Sequence, residues 1–274
     1  MASSRSRVLD AVAVSPDIVF GDVAGNLERL SEAFARTGDD VARLIVAPEL
    51  ATSGYVFTDR AEALPLAMSR DDERLRELGR GLGHRSVAVF GFAERDGDAL
   101  FNTAMVLSRD GVIATYRKSH LWGAEKLVFD PGEKAGLVVA TEVGRLAVAI
   151  CYDNEFPEVP RALGLAGADI LALPVNWPIV PRPAGERAPE TIQAMAAARS
   201  SRLPTVIADR SGVERGVEWT GGTAVIDGEG WVVAEAHDGI AAATVVIEPG
   251  HKGLGPHNDL FADRRPDLYL GPAS

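Results

Sequence analysis

The sequence predicts a layered α/β fold whose sheets are not purely parallel, and three observations predict it. Short runs rich in Val, Ile and Ala alternate with stretches of helical spacing over most of the 274 residues. Turn-forming segments such as Arg95-Asp96-Gly97-Asp98, Arg109-Asp110-Gly111 and Asp227-Gly228-Glu229-Gly230 join neighbouring runs directly, which requires antiparallel pairs beside the βα units. No linker, repeat or low-complexity tract divides the chain, so it reads as a single domain over residues 1–274, with 46% hydrophobic residues to fill its core.

The elements follow in order. A strand at 8–14 precedes the helical spacing of Leu27, Leu30 and Phe34, and a second strand at 44–47 precedes that of Leu75, Leu78 and Leu82. Strands at 87–92, 103–107 and 112–116 are joined by the first two turns, and strands at 137–140 and 146–150 come next. Pro157 fits the first turn of a helix running toward Leu165, because its missing N–H costs nothing there, so that helix is expected to begin just after Cys151. A strand at 170–173, a Pro-rich loop at 178–189 and an Ala-rich helix at 190–202 follow. Strands at 205–208, 223–226, 231–234 and 242–247 complete the chain, and a loop as long as 178–189 inside a compact domain is often functional.

Charge and composition narrow the function. A formal net charge of -11 and a pI near 5.0 argue against a nucleic-acid partner or an anionic membrane surface. One cysteine excludes an intramolecular disulfide framework and any multi-cysteine metal site. The five histidines (His84, His120, His237, His251, His257) have no paired ligand spacing, so no metal is expected. The opening segment is basic, and the apolar stretch after it is broken by Asp10. It is too short for a signal peptide or a spanning helix, and a cytoplasmic location is expected. The Gly-x-Ser-x-Gly elbow of serine hydrolases and the Gly-rich loops of nucleotide-binding proteins are absent from the sequence.

Four segments carry chemistry. Cys151 stands where the apolar run 146–150 gives way to Tyr152-Asp153-Asn154-Glu155-Phe156-Pro157-Glu158. A thiol there is either a small buried hydrophobe or a nucleophile held on a rigid strand end. Glu49, in Ala47-Pro48-Glu49-Leu50, is either a solvated loop residue or a carboxylate drawn into the core and tuned toward a general base. Lys118, in Tyr116-Arg117-Lys118-Ser119-His120-Leu121-Trp122, is half of a solvated basic pair or an ammonium fixed where negative charge develops on a carbonyl oxygen. Asn176-Trp177 ends another strand, where the Trp walls a pocket or fills the core.

Together these blocks resemble the nitrilase superfamily of carbon–nitrogen hydrolases. The similarity lies in Pro48-Glu49-Leu50 with Gly54-Tyr55, Tyr116-Arg117-Lys118-x-His120-Leu121 with Glu125 seven residues after the lysine, Ile150-Cys151-Tyr152-Asp153-x-x-Phe156-Pro157-Glu158, Pro174-x-Asn176-Trp177, and the segment from Asp263 to Tyr269. The resemblance implies a four-layer αββα sandwich that pairs with a second subunit into an eight-layer homodimer, and no cofactor. It implies Cys151 as nucleophile, Glu49 as general base, Lys118 as transition-state cation and Glu125 as a second, positioning carboxylate. Tyr55, Trp122, Tyr152, Glu155, Asn176 and Trp177 are the expected substrate-binding residues.

The sequence departs from the family at Ala198-Arg199-Ser200-Ser201-Arg202, where many members have Ala-Arg-Ala-x-Glu-Asn, and at Asp209-Arg210, where an Asn-Arg pair is common. The Cys-Tyr-Asp form looks more like the amidases than like the nitrilases, which commonly carry Cys-Trp-Glu. The expected reaction is hydrolysis of a small amide to acid and ammonia through a cysteine thioester. The alternatives are an N-carbamoyl amine hydrolase or a nitrilase on the same triad, or an inactive amide-binding relative. Four residues after the nucleophile, relatives acting on dicarboxylic monoamides often have Arg. Glu155 there disfavours an anionic tail, although a glutamate in a helix's first turn is also explained by the helix dipole.

Overall fold

A computed structural model describes residues 6–35, 41–250 and 252–269; His251 and residues 1–5 of the opening segment lie outside them. In chain order the elements are β1 (Arg7–Val14), α1 (Val23–Ala35), β2 (Arg43–Val46), α2 (Arg60–Ala63), α3 (Glu73–Glu77), β3 (Ser86–Asp96), β4 (Ala99–Ser108), β5 (Gly111–Arg117), β6 (Leu137–Thr141) and β7 (Gly144–Val148). There follow α4 (Glu158–Leu165), β8 (Ile170–Pro174), α5 (Pro189–Ser201), β9 (Thr205–Ala208), β10 (Val213–Glu214), β11 (Val217–Glu218), β12 (Ala224–Ile226), β13 (Val232–Glu235), β14 (Ile240–Ile247) and α6 (Pro266–Tyr269).

Two six-stranded mixed sheets result, ordered β14-β1-β2-β3-β4-β5 and β13-β12-β9-β8-β7-β6. Within the first, β1, β2 and β3 are parallel, while β14 and β4 run antiparallel to their neighbours. Within the second, β7, β8 and β9 are parallel. The turns at 95–98, 109–111 and 227–230 make the expected antiparallel connections.

Period-two alternation sorts the first sheet's side chains. Ala11 and Ala13 lie opposite Leu44 and Val46, and with Val87, Val89, Ala104 and Val106 they pack against the second sheet. The opposite parity, Ile45, Ala47, Ala88, Phe90, Met105 and Leu107, faces Leu27, Leu30 and Phe34 of α1 and Leu75, Leu78 and Leu82 of the α3 region. Beyond the second sheet, Leu163 of α4 and Ala194 and Ala198 of α5 join its core. Helix, sheet, sheet, helix is the expected αββα order.

One boundary differs from expectation. The α-helix after Cys151 begins only at Glu158, and Cys151–Glu155 forms a 3₁₀ turn. Pro157 caps the helix instead of sitting within its first turn, and it holds Phe156 extended at φ -96, ψ 103, which separates turn from helix. Glu155 therefore lies outside the first turn of α4. The hairpin of β10 and β11, two residues per strand, has no apolar alternation that would have announced it.

Candidate active site

Glu49 follows β2, Lys118 follows β5, Cys151 follows β7 and Asn176 follows β8, so the carboxyl ends of strands from both sheets converge on one place. Glu49 sits there because Gly91 of β3 has no side chain. Gly91 N–H donates to Pro48 O (2.9 Å), Ala51 N–H donates to Gly91 O (2.8 Å), and a Cβ on Gly91 would lie 2.3 Å from Leu50 N. Cys151 adopts the left-handed conformation at φ 46, which costs a non-glycine residue about 1–2 kcal/mol and marks a side chain held for a purpose.

Asp153 locks that turn. Its carboxylate accepts from Ile150 N–H (2.9 Å), from Tyr116 Oη (2.8 Å), and from the backbone N–H (3.1 Å) of His120, and it lies 2.7 Å from His120 Nδ1. The thiol's turn and the lysine's loop are thus tied to one buried group. His120 also stacks on Phe156, with centroids 4.0 Å apart.

Lys118 and Glu49 are fully buried. The ammonium donates to Glu49 Oε1 and to Glu125 Oε1, both at 2.7 Å. Asn102 Nδ2 also donates to Glu49 Oε1 (2.7 Å), and Asn176 Nδ2 donates to the Glu49 carbonyl (2.8 Å). Glu49 Oε2 is buried with no hydrogen-bond partner. Glu125 is further held by the Tyr55 hydroxyl and by Trp122 N–H (3.2 Å).

Titration follows from this packing. Desolvation pushes Glu49 up to about 7, although Lys118 and Asn102 oppose the rise. Burial alone would lower the Lys118 ammonium, but the Glu125 and Glu49 carboxylates override it and hold it well above the usual range. Burial, then the Glu49 charge, raises the Cys151 thiol well above its usual value, with Lys118 pulling the other way. At neutral pH the resting thiol keeps its proton, and the half-ionised carboxylate in its field is suited to remove it.

A cavity of about 110 Å³ opens onto Cys151, lined by Trp122, Tyr152, Glu155, Asn176, Trp177, Pro178 and Glu190. Five of the expected substrate-binding residues, Trp122, Tyr152, Glu155, Asn176 and Trp177, are among them. Tyr55 is not. It was expected to wall the pocket, but its hydroxyl reaches the oxygen of Glu125 that also takes the Lys118 proton, and its ring meets Trp219 edge-on at 5.5 Å. Being amphipathic, a tyrosine serves either place equally well, and only the contact decides.

Sequence reasoning missed several residues. Asn102 shares its parity on β4 with the inward-facing Ala104 and Val106, and a polar residue in an apolar series was the available signal. Asp153 lay within a recognised block but had no role assigned. Glu214 Oε1 accepts from Tyr55 N–H (2.8 Å) and Val56 N–H (2.7 Å) while Oε2 pairs with Arg210 (2.6 Å). Asp209, the departure from the Asn-Arg pattern, accepts from Trp177 N–H (3.0 Å), Thr220 Oγ1 (2.6 Å) and Gly222 N–H (2.8 Å), which a carboxylate satisfies at both oxygens.

Comparison with known proteins agrees with this architecture. The family model for carbon-nitrogen hydrolase matches residues 11–247. A nitrilase of Pyrococcus abyssi is 33% identical over 270 residues, covering 94% of this chain and 97% of its own. An (R)-stereoselective amidase of a Pseudomonas species is 34% identical over 218 residues, covering 79% and 76%. Among solved structures, an amidase from a Nesterenkonia species superposes with a TM-score of 0.77 at 25% identity, over 98% of this chain and 97% of that one. The chain belongs to the carbon–nitrogen hydrolases of the nitrilase superfamily and is an enzyme acting on non-peptide C–N bonds.

Proposed function

We propose that the enzyme hydrolyses a small carboxylic amide to the acid and ammonia, with Cys151 as nucleophile, Glu49 as proton carrier, Lys118 as oxyanion donor and Glu125 as the group that orients Lys118. The observation that carries the reading is Glu49: its pKa is raised to about 7, its Oε1 is pinned by Lys118 and Asn102, and its Oε2 is left free to move a proton. The volume of the cavity, about 110 Å³, favours a short substrate.

In this reading Glu49 Oε2 takes the thiol proton as Cys151 Sγ attacks the amide carbon. The negative charge that develops on the carbonyl oxygen meets the Lys118 ammonium and the Tyr152 backbone N–H at the start of the 3₁₀ turn. Glu49 then returns the proton to the leaving nitrogen, ammonia departs, and the acyl group stays on Cys151 as a thioester. Water, deprotonated by Glu49, attacks the thioester, and the acid leaves as the thiol is restored. A solved structure of the Nesterenkonia amidase with the acetamide moiety of fluoroacetamide added covalently at its active site cysteine supports a covalent route for this chain too.

The reading takes residues 1–274 as one domain, supported by the family match over 11–247 and by a core shared between both sheets. It also keeps the cytoplasmic location and the homodimer as proposals. Exposed Leu165 and Ile192 on α4 and α5 favour a subunit contact there, which light scattering tests. Among the described residues no helix is long and apolar enough to cross a membrane. Ammonia release from parallel panels of amides, nitriles and N-carbamoyl amines, with Cys151→Ala as control, tests the reaction. Turnover of nitriles or carbamoyl amines without amides would overturn the amidase reading.

A further inference from the structure

The cavity at Cys151 holds two carboxylates that the hydrolytic chemistry does not use. Glu155 closes the 3₁₀ turn that begins at Cys151, and Glu190 stands in the first turn of α5. They come from separate elements and line the same small cavity. None of its lining residues is basic, and neither carboxylate has a cationic partner among the described residues. Glu190 Oε2 is buried without any hydrogen-bond partner. Burial and the Glu190 charge both push the Glu155 carboxyl upward, so the two groups act on each other as like charges.

Local structure explains only one of them. The dipole of a 13-residue helix favours an acidic residue in its first turn, which accounts for Glu190. Glu155 has no such account, because it ends its own turn, where the partial charge is negative, and α4 begins three residues later at Glu158. Two mutually repelling carboxylates beside a nucleophile, one with an orphaned oxygen, form an acceptor for a positive charge delivered from outside. The half-exposed indole of Trp122, set edge-on to Tyr152 at 4.8 Å, adds an aromatic face for the same cation.

We propose that Glu155 and Glu190 form a cation subsite, and that the substrates are short amides whose tail ends in an ammonium group a few carbons from the carbonyl. The proposal rests on the amide-hydrolase reading and adds the substrate class. Butanamide, 4-aminobutanamide and succinamic acid have chains of similar length and differ in the tail, which is neutral, cationic or anionic. For the wild type, kcat/KM for 4-aminobutanamide should exceed that for butanamide by about tenfold, corresponding to about 1.4 kcal/mol from two part-wet ion pairs, and succinamic acid should be the poorest of the three. Glu155→Gln and Glu190→Gln should each cut that ratio by about threefold, and the double variant should bring it close to one.

A wild-type ratio near one, or a preference for the cation that survives the double substitution, would overturn the subsite. A second arm reads binding without turnover: Cys151→Ala protein is titrated calorimetrically with 4-aminobutanamide and with butanamide, with and without the two Gln substitutions. If the Gln substitutions weaken binding of the cation but the wild type releases no ammonia from any amide, the subsite stands and the amidase reading falls. If amides are turned over but the cation binds no better than butanamide, the amidase reading stands and the subsite falls.

Discussion

Replacing Asn102 with Leu removes the donor at 2.7 Å from Glu49 Oε1 while the other partner of that oxygen, Lys118, remains. The Asn102 backbone carbonyl still accepts from Lys118 N–H (2.8 Å), so the lysine's anchor survives the change. Asn102 stabilises the ionised form of Glu49 and so opposes the desolvation that raises it to about 7. A hydrogen bond to a charged group contributes about 1.5–3 kcal/mol, and one pKa unit corresponds to about 1.36 kcal/mol, so the carboxyl should rise by at least about one unit.

The sign is fixed by the role. If Glu49 must be ionised to take the thiol proton, kcat/KM falls as pH drops through its folded pKa, and a higher pKa moves that acid limb to higher pH. With the midpoint moved from about 7 to about 8, the ionised fraction at pH 7 drops from about one half to about one tenth, a loss of about fivefold. At pH 9 the two proteins should differ by only about 10% on this account. Initial rates of ammonia release between pH 5 and pH 9.5 give the profile. A uniform loss at every pH, with the limb unmoved, would refute the reasoning and leave Asn102 as packing alone.

Cys151→Ala should abolish turnover with the circular dichroism spectrum unchanged, since it removes one sulfur at a turn held by Asp153, and intact-mass spectra of the wild type with a slow amide should contain an acyl adduct at Cys151. Lys118→Met should lower kcat by about 10²-fold or more, because a preorganised donor aimed at an oxyanion is worth that much; a change confined to KM would make it a binding group. Gly91→Ala should lower both Tm and activity, because its Cβ would lie 2.6 Å from Glu49 Cα and 2.3 Å from Leu50 N. Backbone strain of this kind costs about 1–3 kcal/mol or more, and an unchanged melting curve would mean that the 48–51 loop is free to move.

The layered fold was legible because each layer writes a simple period. Inward Ala11, Ala13, Leu44 and Val46 alternate with outward residues, and Leu27, Leu30 and Phe34 recur at helical spacing. Turn chemistry fixed which neighbours run antiparallel. Less legible was the chain around Cys151. Pro157 was read correctly as a helix-start signal, but the 3₁₀ turn before it depends on a left-handed cysteine and on the hydrogen bonds of Asp153, neither of which has a compositional signature. Glu214 was invisible for a related reason: its donors, Tyr55 and Val56, are over 150 residues away in sequence, and only the closed fold brings them within 2.8 Å.

The residues that sequence reading identified are those at strand ends, and the residues it missed are those that hold them. Glu49, Lys118, Cys151 and Asn176 each follow an apolar run, so the rule that ligands meet the carboxyl ends of strands in open sheets is enough to propose them together. Burying an ammonium with two carboxylates and a thiol, however, is unfavourable unless every charge finds a partner. That requirement recruits Asn102 and Tyr55, which bond to Glu49 and Glu125 respectively, and Asp153, which fixes the thiol's turn against the Lys118 loop. One acceptor is exempt, Glu49 Oε2, and it is the atom the proposed reaction needs free. A support shell of this kind follows from the cost of buried polarity, so the place to search for it in a sequence is the isolated polar residue on the inward parity of a strand, as Asn102 is on β4.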